Sequence, residues 1–133
     1  MLKLEGGAIP EILKVIPDAP KSLYVSGDNF SDLLQKPRVA IVGTRTVTPY
    51  GRAVTESLTR DLVHDGVVIV SGLALGVDSI AHKVAIEQNG ETIAVLPGGI
   101  NKVYPRSHEQ LGRQIVTSGG ALISEKQGHI SPR

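Results

Sequence analysis

The sequence predicts an α/β fold, a Rossmann-like doubly wound and mainly parallel sheet preceded by a short N-terminal extension. Three observations carry this reading. Short aliphatic runs, Val67-Val68-Ile69-Val70 foremost, are too short for a helix and too uniformly apolar for a half-exposed strand, the pattern of strands buried on both faces. Most of these runs end in a glycine-bearing turn, as Ser71-Gly72 and Pro97-Gly98-Gly99 do. Stretches of helical length follow, and the strand–helix units succeed one another at the spacing of right-handed βαβ crossovers.

Composition bounds the rest. A chain of 133 residues makes one domain with room for a sizeable core. Its 15 glycines exceed the usual share and point to many tight turns. A net charge of +1 gives no global field, so any basic site must be local. The chain has no cysteine, which excludes a disulfide framework and thiolate ligands. No apolar run approaches membrane-spanning length, and Met1-Leu2-Lys3-Leu4-Glu5 does not open a signal peptide. The expectation is a soluble cytoplasmic protein without a membrane partner.

Residues 1–37 read as an extension packing on the main domain of residues 38–133. Ile9-Pro10 to Pro17 holds a short helix between prolines, Ser22 to Gly27 a strand and turn, and Asp28 to Leu34 one helical turn ended by Lys36-Pro37. Arg38 to Val42 is the first sheet strand. Thr48-Pro49 then starts a helix, with Thr48 as cap and Pro49 at its first position. Val54, Leu58 and Leu62 recur every four residues as its expected buried stripe, and Gly66 ends it. After the Val67–Val70 strand a helix opens at Val77, with Asp78 or Ser79 placed to cap or complement its first turn. Gly90 closes that helix. Thr92 to Leu96 is the third strand, Ser107-His108-Glu109-Gln110 has the form of a capping box, and Ala121 to Ser124 is the fourth strand.

In a parallel sheet the carboxyl ends of all strands share one edge, where open α/β sheets bind ligands. Gly43-Thr44-Arg45, Ser71-Gly72, Pro97-Gly98-Gly99 and Ser124-Glu125 therefore line one ledge. Glycine lets backbone approach a ligand, a helix N-terminus offers N–H groups to an anion, and the Arg45 fork suits phosphate oxygens. Gly76 permits a second close approach. The same glycines also serve any tight turn, so the inference rests on their sharing one edge with an arginine. The ledge reads as a site for a phosphate-bearing ligand. Gly43-Thr44-Arg45-Thr46-Val47-Thr48 lacks the second and third glycines of the dinucleotide fingerprint, and no Walker motif occurs. Asp78 and His82, four apart, share a helix face. They are either an acid/base pair or, as favoured here, part of hydrogen bonding that orients the turn. No metal-ligand cluster is visible, and no cofactor is implied.

Val39-Ala40-Ile41-Val42-Gly43-Thr44-Arg45, Tyr50-Gly51, and Ser71-Gly72-Leu73-Ala74-Leu75-Gly76-Val77-Asp78-Ser79-Ile80-Ala81-His82 strongly resemble the bacterial DNA-processing protein A family (DprA, or Smf). Gly90 to Leu96, Tyr104 to His108, Gly119 to Glu125 and the segment from Ile9-Pro10 to Gly27 are also similar. The resemblance implies a non-enzymatic protein that binds single-stranded DNA in natural transformation and helps to load the recombinase RecA. It also places a G-[ST]-R loop in the DNA pocket, here Gly43, Thr44 and Arg45. The phosphate- or nucleic-acid-binding set expected from ledge and family together is Gly43, Thr44, Arg45, Ser71, Gly72, Gly76, Gly98, Gly99 and Tyr104. Tyr104 is placed to stack on a base or to pack beneath its loop.

Family members continue past the fourth strand into a basic segment that completes the sheet, the DNA pocket and much of the dimer contact, whereas this chain stops at Ser131-Pro132-Arg133. The expectations are a truncated sheet of strand order 3-2-1-4 that brings Arg45 near Ser124-Glu125. Ala121 to Ser124 is then a bare edge, and a homodimer is possible. The alternative function is a nucleotide-binding or nucleotide-sensing module related to the lonely-guy phosphoribohydrolases. Their P-G-G-x-G-T-x-x-E motif survives here only as Pro97-Gly98-Gly99, with Pro105 at the glutamate position.

Overall fold

The computed structural model describes residues 1–101, 103 and 105–127. Its centre is a six-stranded sheet ordered β1-β2-β6-β5-β4-β3. The strands are β1 Leu2–Glu5, β2 Ser22–Ser26, β3 Arg38–Ala40, β4 Val68–Ser71, β5 Thr92–Val95 and β6 Ala121–Ser124. β3, β4, β5 and β6 pair in parallel, while β2 pairs antiparallel with both β6 and β1. Between them run α1 Glu11–Lys14, α2 Phe30–Leu33, α3 Pro49–His64, α4 Val77–Glu87 and α5 Glu109–Thr117.

Two of the expectations fail here. The four parallel strands lie in the order of the chain, 1-2-3-4, and not 3-2-1-4. Each crossover steps to the next neighbour in the same direction, so the helices α3, α4 and α5 fall on one face and no switch point forms. Nor is Ala121–Ser124 a bare edge, because Tyr24, Val25 and Ser26 of β2 pair with Ser124, Ile123 and Leu122. The terminal strands of the sheet are β1 and β3.

Side chains alternate between two packed layers. Ile69, Ala94 and Leu122 face the crossover helices, meeting Ala81 and Ala85 of α4 and Leu111 and Ile115 of α5. Val68, Ile93 and Ala121 face the other way, onto Ile9, Phe30 and Leu33 of the N-terminal segment. That segment thus extends the sheet and covers its second face.

Local chemistry accounts for most helix ends. The Thr48 hydroxyl accepts from the Gly51 N–H at 3.0 Å, with Pro49 in the first turn. Gly66, at φ +80°, closes α3 through Gly66 N–H to Val63 and Val67 N–H to Leu62. The Ser107 capping box does not form: residues 106–108 make a 3₁₀ turn, and α5 begins at Glu109 without a side-chain cap.

The α3 stripe is also corrected. Val54 and Leu58 are 44% and 49% exposed, while Thr55 and Thr59 are buried. α3 packs on α4 where α4 presents Ala81 and Ala85, with Leu62 and Val63 joining that cluster. Small residues let the two helices approach closely, and Thr55 settles its hydroxyl on the Gly51 carbonyl at 2.8 Å. No described helix is long and apolar enough to cross a membrane.

Candidate nucleic-acid interface

Because β3 to β6 are parallel, the turns that follow them do share one edge. The turn after β3 is held from beneath. Ile41 N–H donates to the Val70 carbonyl at 2.9 Å, and the buried Ser71 hydroxyl donates to the Ile41 carbonyl at 2.6 Å. Thr44 turns its hydroxyl into its own loop, where it accepts from the Thr46 N–H at 3.2 Å. Its carbonyl accepts from Val77 N–H at 3.1 Å, so this loop sits on the first turn of α4. A Cβ at Gly76 would fall on the Thr44 carbonyl oxygen and 2.6 Å from that of Arg45, and one at Gly43 would lie 2.9 Å from Val77. Glycine is required at both places by packing between the loop and α4.

The positive end of α4 is therefore partly filled from within the chain. Asp78, buried in the first turn, accepts from the Gly72 N–H at 2.9 Å and thereby shapes the turn after β4. His82 takes no part in this. It is fully buried, and its Nδ1 donates to the Thr92 hydroxyl at 2.7 Å, which in turn donates to the Ile69 carbonyl at 2.8 Å. The orienting role falls to Asp78 alone, and no Asp78–His82 acid/base pair is made. Replacing Asp78 with alanine is expected to destabilise the domain by about 1–3 kcal/mol, because the Gly72 N–H is left half-buried and unpaired. Urea unfolding of the variant measures this; no change would show that water replaces the carboxylate without loss.

The third turn is covered. Gly98 and Gly99 are buried, the Ser124 hydroxyl donates to the Gly98 carbonyl at 2.6 Å, and Gly99 bridges to Lys126. Ile100 N–H donates to the Lys126 carbonyl at 3.1 Å. Of the nine residues singled out, Gly43, Thr44 and Arg45 are exposed, Gly72 and Gly76 are half-buried, and Ser71, Gly98 and Gly99 are buried. Tyr104 lies outside the described residues. Arg45 forms none of the ion pairs among the described residues, so neither Asp78 nor Glu125 clamps it. β3 and β6 are separated by β4 and β5, about 14 Å of strand spacing, so the turn after β3 does not adjoin Ser124-Glu125.

Two residues escaped the sequence reading. Lys126 is an exposed cation directly after β6, at the opposite end of the ledge from Arg45. His108 is buried, and its Nδ1 donates to the carbonyl of Leu73, itself held at φ +63°. That bond ties the turn after β4 to the start of α5. Lys126 was legible as a charge after a strand; nothing local marked His108.

Four parallel strands, crossover helices on one face and a glycine-turned carboxyl edge carrying an arginine outside the ion pairs of the described residues define a Rossmann-like domain built to present that edge. The chain belongs to the DNA recombination-mediator protein A family, whose model matches residues 1–133. It is 46% identical over 125 residues to DNA processing protein DprA of Bacillus subtilis, which covers 93% of this chain and 41% of that protein. It is 40% identical over 123 residues to Protein Smf of Escherichia coli, covering 92% of this chain and 32% of that one. Among solved structures it matches DNA processing protein A of Helicobacter pylori, described for its single-stranded DNA binding mode. The TM-score is 0.84 at 38% identity, over 99% of this chain and 58% of that one. The DprA structure from Streptococcus pneumoniae gives 0.86 at 33% identity, over 99% and 46%. The chain spans about a third to two-fifths of the length of these two curated relatives.

Proposed function

We infer that this domain binds single-stranded DNA through its phosphates at the carboxyl edge of the sheet, in the service of recombination and natural transformation. The observation that carries the reading is Arg45, exposed and outside every ion pair among the described residues, on a loop braced from below by Ser71 and from the side by α4. A rigid loop that presents a guanidinium fork binds a phosphate with little ordering cost. Lys126 supplies a second cation at the far end of the same edge. For the whole protein the reading extends to assisting the loading of RecA, a role that family membership supports.

The nucleotide-sensing alternative draws on Pro97-Gly98-Gly99. The burial of both glycines beneath Ser124–Lys126 leaves that turn little backbone to offer a mononucleotide, so the DNA reading is preferred. Arg45→Ala is expected to weaken oligonucleotides of every sequence alike and to flatten the salt dependence by about one phosphate, with an unchanged melting curve. Fluorescence-anisotropy titrations at two salt concentrations test this. Unaltered affinity, or mononucleotide binding as tight as oligonucleotide binding, refutes it.

A further inference from the structure

We propose that Asn89-Gly90, at the carboxyl end of α4, is a site of spontaneous covalent modification, where the asparagine cyclises and hydrolyses to aspartate and isoaspartate when its helix cap opens. The inference is independent of the DNA-binding reading and concerns the opposite end of α4 from the Arg45 loop.

The fold dictates both residues. α3, α4 and α5 end in one hydrogen-bonded pattern, in which the two residues past the cap donate to carbonyls of the last turn. In α4 the Asn89 N–H donates to the Ile86 carbonyl at 3.0 Å and the Gly90 N–H to that of Ala85 at 2.8 Å. The first of the two residues stands in the left-handed region. Gly66 and Gly119 fill that place after α3 and α5, at φ +80° and +93°, whereas α4 uses Asn89 at φ +60°. Asparagine is among the few side chains that tolerate this backbone. The second residue must lack a side chain, because a Cβ at Gly90 would lie 2.5 Å from Val63 and 3.2 Å from the Ala85 carbonyl oxygen. Helix ending and helix packing together set glycine directly after asparagine. The pair occurs once in the sequence, since Asn29 and Asn101 precede Phe30 and Lys102.

That pair carries its own reaction. A glycine nitrogen has no neighbouring side chain to shield it from the preceding residue. Once deprotonated, the Gly90 nitrogen attacks the side-chain amide carbon of Asn89. A C–N bond forms, the amide nitrogen leaves as ammonia, and a five-membered imide closes. Water then breaks one of the two C–N bonds of the imide. Breakage at the side-chain carbon gives aspartate, and at the main-chain carbon isoaspartate. One water is consumed and one ammonia released, with no oxidant or reductant.

In the folded chain the attack is held off. The nitrogen that must attack is committed to Ala85, and Gly90 is wedged between Val63 and Ala85. Asn89 itself is exposed, so water reaches it. The reaction therefore waits on opening of the α4 end, a local event. Either product adds a carboxylate at the negative end of the helix dipole, between Glu87 and Glu91 in the chain. Isoaspartate also lengthens the main chain by an atom inside the cap.

Peptide mapping by mass spectrometry tests the site after incubation in mildly alkaline buffer, with the chain folded and with it unfolded in urea. The amide-to-acid mass gain, with isoaspartate among the products, is expected at Asn89 ahead of Asn29 and Asn101. It is expected to be slower by about tenfold or more in the folded chain. Asn89→Gly, which installs the residue that α3 and α5 use, is expected to fold and to remain unmodified there. Equal rates in the folded and unfolded chain overturn the protection by the cap. No conversion at Asn89 in urea, or faster conversion at Asn29 or Asn101, overturns the site.

Discussion

Lowering the pH from 7 to 5 is expected to destabilise this domain by about 2 kcal/mol through His82 alone. Burial in the layer between α4 and the sheet, with a smaller contribution from the nearby His108, lowers its pKa from 6.5 to about 3. The folded chain therefore refuses a proton that the unfolded chain accepts once the pH falls below about 6.5. Because the folded value is the depressed one, the stability is fully present above that pH. It is lost as the solution is acidified toward the folded value, at about 1.4 kcal/mol for each pH unit. Urea unfolding at pH 7 and pH 5 measures the loss. His82→Asn keeps a donor for the Thr92 hydroxyl but cannot titrate, so that variant is expected to be less stable at neutrality and nearly flat across the same interval. A wild-type protein equally stable at both pH values, or an unchanged slope in the variant, would remove His82 as the source.

The second large effect is set by where a glycine stands in the fold. Gly66 and Gly76 both stand at φ +80°. A methyl at Gly66 meets nothing within 4 Å, whereas one at Gly76 lands on the Thr44 carbonyl and close to that of Arg45. Gly66→Ala is expected to cost about 1 kcal/mol, the strain of a left-handed residue. Gly76, with ψ −129°, stands in a backbone region that only glycine adopts readily, so Gly76→Ala combines greater strain with overpacking against backbone, for a total of about 3–5 kcal/mol. It also pushes the Arg45 loop off α4, so DNA affinity is expected to fall with stability. Melting curves of the two variants side by side give the answer. Equal losses would mean that the loop yields freely and that its seat on α4 does not hold Arg45 in place.

The two glycines also show what one residue can and cannot say. Gly66 was legible as a helix terminator, because a helix end is a local event set by backbone freedom and by hydrogen bonds within one turn. Gly76 was legible only as a point of close approach. The sequence suggested a ligand as the object approached, and the fold puts the Thr44 and Arg45 carbonyls there. The same holds along the ledge: Gly98 and Gly99 bond to Ser124 and bridge to Lys126, a segment some 25 residues away in the chain. Arg45 kept its place on the edge because a parallel sheet gathers its carboxyl ends together whatever the order of its strands.

What the sequence by itself determined was the kind of each element and the parallel α/β class. Hydrophobic period, caps and turn residues act over a few positions, so Thr48-Pro49, Gly66, the β2 segment and the four parallel strands could all be read where they stand. Leu2–Glu5 was missed as a strand, since it is one only through its pairing with Ser22–Val25. Tertiary structure alone decided the strand order, the face that α3 buries and the strand that β2 joins. Each of these depends on which distant partner is met first and how closely. Ala81 and Ala85 admit Thr55 and Thr59 to the interior and turn Val54 and Leu58 out, while β2 pairs with β6 from some hundred residues away. No window of the chain holds both partners of such a choice.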